Sequence, residues 1–160
     1  MKLNEKVTKD NSRELRKKTM AEIDGSPVKT LQDEMIKRMY DWWGNWVPDY
    51  EGWLKHADSL YAPNAIINAI GGEQDYSDYR VSMKTQRDRY TMEMGPILQS
   101  IVGEDTVALT YDMYLMPKDM EDQVTYKMTV TEFNRFGIVD GKLMVTRLDL
   151  YTDGGNMPMN

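Results

Sequence analysis

The sequence predicts an α+β fold, with three helices followed by a curved antiparallel sheet in a single domain. Three observations predict it. Apolar residues recur at helical spacing between residues 29 and 60 and again between 76 and 94. Beyond Pro96 the pattern changes to long runs with β-branched character, such as Met128-Thr129-Val130-Thr131. Gly, Pro and Asp-Gly pairs fall where the period changes. A chain of 160 residues, 41% apolar and 29% charged, is enough for one domain around one core.

Residues 1–26 are dense in charge with sparse apolar positions, and Leu15, Met20 and Ile23 allow a short appended helix or a loose tail. Asp24-Gly25-Ser26-Pro27 ends that segment, and the main domain is expected over 27–153. Leu31, Met35, Met39, Trp42, Trp43 and Trp46 mark a helix over 29–44, with Asp33 and Glu34 in its first turn, where the helix dipole favours acids. Gly44 and Pro48 close it, and Asp49 caps a second helix over 50–60 whose inner face carries Trp53, Leu54, Ala57 and Leu60. Tyr61-Ala62-Pro63-Asn64 turns the chain into a strand over 65–70 that stops at Gly71-Gly72. Tyr76, Tyr79, Met83, Tyr90 and Met94 form the stripe of a third helix over 76–94, closed by Gly95-Pro96. Strands are then expected over 96–101 and 105–116 around Gly103-Glu104, and over 124–136 and 142–151 around Val139-Asp140-Gly141. Residues 154–160 read as a loose tail.

Composition excludes several function classes. A net charge of −6 and a pI near 4.9 argue against a nucleic-acid partner, which needs a basic face. The lack of cysteine excludes disulfides, thiolate metal sites and a cysteine nucleophile. A chain with one histidine cannot build a His-rich metal site, so no metal and no cofactor are expected. The polar amino terminus does not resemble a signal peptide and no apolar run is long enough to span a membrane, which gives a cytoplasmic expectation with no membrane partner. The 14 Met residues, with ten Tyr and four Trp, suit a pliable core or binding surface.

The order helix, helix, short strand, helix, paired long strands resembles the nuclear transport factor 2-like superfamily, and within it the SnoaL-like enzymes. Four landmarks carry the resemblance: Leu60-Tyr61-Ala62-Pro63-Asn64-Ala65, Gly71-Gly72, Thr131-Glu132-Phe133-Asn134-Arg135-Phe136 and Asp140-Gly141-Lys142. It covers roughly residues 30–153. It implies a cone-shaped pocket between the helices and the concave side of the sheet, a small hydrophobic molecule as ligand, and a homodimer formed through the convex side. The superfamily hosts isomerases, dehydratases, cyclases, epoxide hydrolases and non-catalytic binders, so the fold alone does not name the chemistry.

Strand alternation groups the side chains available to such a pocket. Asn68 shares a face with Ile66 and Ile70, Asp112 with Thr110, Tyr114 and Met116, and Asp149 with Arg147 and Tyr151. With those faces turned inward, Asn68, Asp112 and Asp149 converge with Tyr114, and Trp43, Trp46, Tyr90 and the Met residues supply apolar walls. Asp112 lies in an otherwise apolar stretch, where burial raises a carboxyl toward the range useful for proton transfer; the alternative is a structural pair across the sheet. Tyr40 and Asp41 sit where isomerase-like members place a phenol and scytalone-dehydratase-like members a Tyr/Asp pair, although the histidines of the latter are absent from the third helix and the sheet. Consecutive helical residues lie about 100° apart, so the two cannot both face a pocket squarely. His56 is the natural acid or base at neutral pH, or a surface residue beside the apolar stripe. Glu132 and Arg147 face either the pocket or the dimer, depending on strand parity.

The first functional expectation is a cofactor-independent isomerase or dehydratase acting on a hydrophobic oxygenated ring compound, steroid- or polyketide-like. Asp112 would be the base, Tyr40 or Tyr114 the donor to a developing oxyanion, Asn68 the anchor, and His56 a possible acid. A non-catalytic binding or dimerisation module is the second expectation. The third is an epoxide hydrolase-like enzyme, for which Asn68, Asp112 and Asp149 match but the required tyrosine and arginine fall at Ile66 and Thr110.

Overall fold

The computed structural model describes residues 9–24, 30–69, 71–120 and 122–153. Expected features at residues 25–29 and in the tail 154–160 lie outside them. In chain order the elements are α1 (Lys9–Asp24), α2 (Leu31–Gly44), α3 (Tyr50–Leu60), β1 (Tyr61–Ala69), β2 (Gly72–Asp75), α4 (Tyr76–Arg89), β3 (Tyr90–Val102), β4 (Thr106–Pro117), β5 (Tyr126–Val139) and β6 (Lys142–Thr152). The strands form one sheet in the order β2-β1-β6-β5-β4-β3, giving an α+β fold of helices on a mostly antiparallel sheet.

Local chemistry fixes the helix starts. Thr30 and Asp33 form a reciprocal capping box at α2, while Asp49 and Asp75 accept from Gly52 and Asp78 backbone N–H groups at the starts of α3 and α4. The β5–β6 hairpin turns at Asp140 and Gly141, whose φ values of 49° and 75° are those a tight hairpin turn requires.

The sheet is mostly antiparallel, as expected, with one parallel pairing, β1 with β6. Two expectations about element bounds are corrected. The first strand starts at Tyr61 and is followed by the short strand β2, which pairs back on it. The third helix ends at Arg89 and not at residue 94. Tyr90, Met92 and Met94 alternate with Thr91 and Glu93, and a spacing of four suits either period. Pairing of β3 with β4 from Tyr90↔Pro117 onward decides for strand. Gly95-Pro96 is therefore a register shift inside β3, between Met94 and Ile97, rather than a helix end.

The helix α1 precedes the three expected ones and is tied to the β3 edge. Arg16, 3% exposed, pairs with the buried Glu93 carboxylate and donates to the Met94 carbonyl. Gly44 permits the close approach of α1 to α2, since an added Cβ would run into the Met20 side chain. On the other side of α2, Trp43 Nε1 donates to the Gly95 carbonyl and Trp46 Nε1 to the Met92 carbonyl, both at 2.9 Å. The outward edge of β3 is thereby covered at Met92, Met94 and Gly95, while its far end, from Leu98 to Val102, stays exposed. Among the described residues no helix is long and apolar enough to cross a membrane.

Candidate active site

Strand parity decides what lies between helices and sheet. In β4 the inward set is Val107, Leu109, Tyr111, Met113 and Leu115, all buried; in β5 it is Met128, Val130, Glu132, Asn134 and Phe136. Tyr111, Met113 and Leu115 from the first set and Met128, Val130 and Glu132 from the second line a cavity of about 290 Å³, whose helix side is formed by Trp42, Trp46, Tyr79 and Met83. Residues from all six strands, from Gln74 on β2 to Tyr90 and Met92 on β3, line this one cavity, so the sheet curls around it.

The wall is mostly apolar. Its polar groups are Glu132, the phenols of Tyr79, Tyr90 and Tyr111, and Gln74, Ser82 and Gln86. Glu132 is the one carboxyl among the described residues that line it, and it is 1% exposed. Tyr111 donates to its Oε2 at 3.0 Å and Asn134 Nδ2 to its Oε1 at 3.1 Å. Burial pushes this carboxyl up from 4.5 to about 7, while the hydrogen bonds from Asn134 and Tyr111 hold it back. The same desolvation, with the nearby Glu132 charge and phenols, raises Tyr61, Tyr79 and Tyr111 well above the ordinary phenol range. The Tyr61 hydroxyl and Asn134 Oδ1 are buried beside this cluster without a hydrogen-bond partner among the described residues.

The residues expected from sequence are distributed otherwise. Tyr90 and Trp46 line the cavity. Asn68, Asp112, Tyr114 and Asp149 do not converge in it, because their strands present them on the opposite face. There Asp112 accepts from Thr129 at 3.0 Å and pairs with Lys127 at 3.3 Å. Asp149 accepts both arms of Arg147 at 2.9 Å and the Asn68 amide at 3.2 Å, and the Arg147 partnership holds its carboxyl below the usual range. Trp43 is packed in the core, 1% exposed. Tyr40 stands edge-on to Trp43 and its hydroxyl lies 3.3 Å from Ser100, away from the cavity. Asp41 pairs with Lys37, and with His56 it borders a separate shallow cleft of about 120 Å³ between α2 and α3. Among the described residues no three His, Asp or Glu side chains gather in a way that could hold a metal ion.

The parity error has a physical cause. Alternation yields two faces and does not say which is inside; burial of apolar area does. The odd positions of β4 are uniformly large and apolar, whereas the even positions include Ala108, Thr110 and Asp112. Weighing that difference selects the Tyr111 face, and the pairing of β5 then brings in Glu132.

The site is thus a methionine-rich cavity with a buried acid on its wall. No family model matches the chain, and no curated protein matches it in sequence. Solved structures do. A candidate SnoaL-like polyketide cyclase from Jannaschia superposes with a TM-score of 0.63 over 81% of this chain and 92% of its own, at 10% identity. AclR, a candidate hydroxylase from Streptomyces galilaeus, gives 0.62 over 77% and 91%, at 15% identity. IdmH, a candidate polyketide cyclase from Streptomyces antibioticus, gives 0.56 over 78% and 94%, at 16% identity. At such identities the likeness is one of fold.

Proposed function

We propose that the protein is a cofactor-independent acid–base enzyme, of the isomerase, cyclase or dehydratase kind, acting on a hydrophobic oxygenated ring compound. The observation that carries this is Glu132: a buried carboxyl on the wall of an apolar cavity, with its proton affinity raised to about 7. An acid so tuned is partly ionised near neutral pH and can both accept and return a proton. The carboxylate would take a proton from the carbon next to a substrate carbonyl. The resulting acid would deliver it to another carbon, or to a departing hydroxyl that leaves as water. Gln74, Ser82 and Gln86 are suited to orienting substrate oxygens, and the four lining Met residues to an irregular apolar skeleton. The polyketide cyclases among the structural neighbours favour the same reaction class.

The test is proton exchange at carbon. Incubated with 2-tetralone in D2O, the protein is expected to accelerate deuterium incorporation next to the carbonyl, and Glu132→Gln to remove that acceleration by about 100-fold or more. Equal exchange by the two proteins excludes Glu132 as base.

A non-catalytic binder is the second reading, favoured by the predominance of apolar lining and by the two hydrogen bonds that already satisfy Glu132. The epoxide hydrolase-like reading loses its support, since Asp112 and Asp149 point away from the cavity. A homodimer through the outer sheet face belongs to the same proposal; the exposed rings of Phe133 and Tyr151, stacked edge-on at 6.1 Å on that face, support it.

A further inference from the structure

Most of the polar groups that line the cavity are already engaged or lie toward the surface. Glu132 accepts from Tyr111 and Asn134, which also takes the Tyr111 hydroxyl out of play. The Ser82 hydroxyl donates to Gln74 Oε1 at 3.2 Å, Gln86 is exposed and Tyr90 is half-buried. Tyr79 differs from all of these. It is 7% exposed, and no described residue hydrogen-bonds to its hydroxyl. Unlike the Tyr61 hydroxyl, that oxygen is not sealed against the protein either. The open space beside it is therefore the cavity that its side chain lines.

The Tyr79 ring is held in place. It stands edge-on to Trp53 at 5.9 Å and to Tyr61 at 6.2 Å, with interplanar angles of 72° and 80°. On α4 it shares the cavity face with Ser82, Met83 and Gln86, the spacing of one helical stripe. After burial, the Glu132 charge is the largest influence raising its phenol above the ordinary range. Both effects keep the phenol protonated at neutral pH, so it is a donor there. Tyr79 and Glu132 line one cavity without bonding to each other, and a ligand that fills the cavity meets both. A buried hydroxyl without an acceptor is unfavourable, and an oxygen on the ligand would satisfy it.

We propose that Tyr79 selects and holds the reacting oxygen of the substrate, donating its hydroxyl hydrogen to a ketone oxygen whose neighbouring carbon faces Glu132. In the reaction the C–H bond beside the carbonyl breaks, and its proton passes to the Glu132 carboxylate. The freed electron pair forms a C=C bond and the carbonyl π pair moves onto oxygen, where the Tyr79 hydrogen bond stabilises the developing charge. Return of the proton from Glu132 to carbon restores the carboxylate. The substrate class is then an apolar, enolisable ketone, its carbonyl between Tyr79 and Glu132 and its skeleton against the Met side chains. The inference deepens the acid–base reading above and rests on the cavity being the ligand site.

The experiment compares wild type with Tyr79→Phe on two ligands of one skeleton, 2-tetralone and tetralin, by calorimetric titration, and on 2-tetralone by deuterium exchange. Because the hydroxyl bonds to no described residue, Tyr79→Phe removes nothing that the fold uses, and its unfolding should match that of wild type. The variant is expected to bind the ketone about fivefold more weakly and the hydrocarbon no more weakly. Its exchange rate should fall about 100-fold, the scale for one oxyanion donor, with the rising limb of the pH–rate profile unmoved. A merely structural role would weaken both ligands alike, and a role in tuning Glu132 would move the limb; either result overturns the inference. A wild-type protein that does not bind 2-tetralone overturns it too. Glu132→Gln is expected to keep wild-type affinity for the ketone while losing exchange. No exchange by wild type, with ketone affinity still dependent on Tyr79, would sink the base reading alone. Equal exchange by wild type and Tyr79→Phe would sink this one alone.

Discussion

The Tyr111 phenol donates to the Glu132 carboxylate at 3.0 Å, a diagonal contact between neighbouring strands with both residues 1% exposed. Tyr111 is opposite Val130, and Glu132 is two residues along, so the pleat brings both onto the inward face. A donated hydrogen bond favours the ionised carboxylate and opposes the effect of burial. Removing it with Tyr111→Phe is expected to raise the Glu132 carboxyl further above 7. The rising limb of a pH–rate profile for proton exchange should move to higher pH in that variant. An unmoved limb would show that the phenol does not tune this acid.

Glu132 also links stability to pH. Its value is higher in the folded protein than in the unfolded chain, so between 4.5 and about 7 the folded state holds more protons. Stability should therefore fall as pH rises through that window, by up to roughly 3 kcal/mol from this group when the shift is converted at about 1.4 kcal/mol per unit. In Glu132→Gln that part of the slope is expected to vanish. Chemical denaturation of the two proteins at several pH values measures the difference.

Asp112 gives the opposite expectation from that of a base. Its carboxylate is committed to Thr129 and Lys127 on the outer face. Asp112→Asn should leave exchange within about threefold of wild type and cost about 1 kcal/mol of stability, the scale of one hydrogen bond. Loss of exchange in a folded Asp112→Asn protein would return Asp112 to the mechanism.

Arg16→Ala tests the seat of α1. Among the described residues it leaves the buried Glu93 with only Arg13, at 3.4 Å, to face it. A loss of about 3 kcal/mol is expected, the scale for removing one partner of a buried ion pair. The double variant with Glu93→Gln should recover part of it.

For the proposed dimer, Phe133→Glu introduces a charge at an exposed ring of the outer face, beside Tyr151. Sedimentation is expected to show the wild-type chain at twice the monomer mass and the variant shifted toward monomer at micromolar concentration. A wild-type chain that sediments as a monomer removes the dimer.

Much of this protein is set locally and is therefore visible in its sequence. Thr30, Asp49 and Asp75 start helices through bonds to their own next turn, and Asp140-Gly141 turns a hairpin through its own backbone angles. The element order, and with it the fold, follows from such signals. Tyr90, Met92 and Met94 mark the limit, since their spacing satisfies helix and strand alike until β4 pairs with them. The same holds for the site. Alternation groups Asn68 with Ile66, and Asp112 with Tyr114, but side-chain period alone cannot assign a face to the core. That choice is made by the free energy of burying the larger apolar face, a sum over the whole sheet. It carries Tyr111, Met113 and Leu115 inward, takes Glu132 with them on the neighbouring strand, and leaves Asp112 and Asp149 outside.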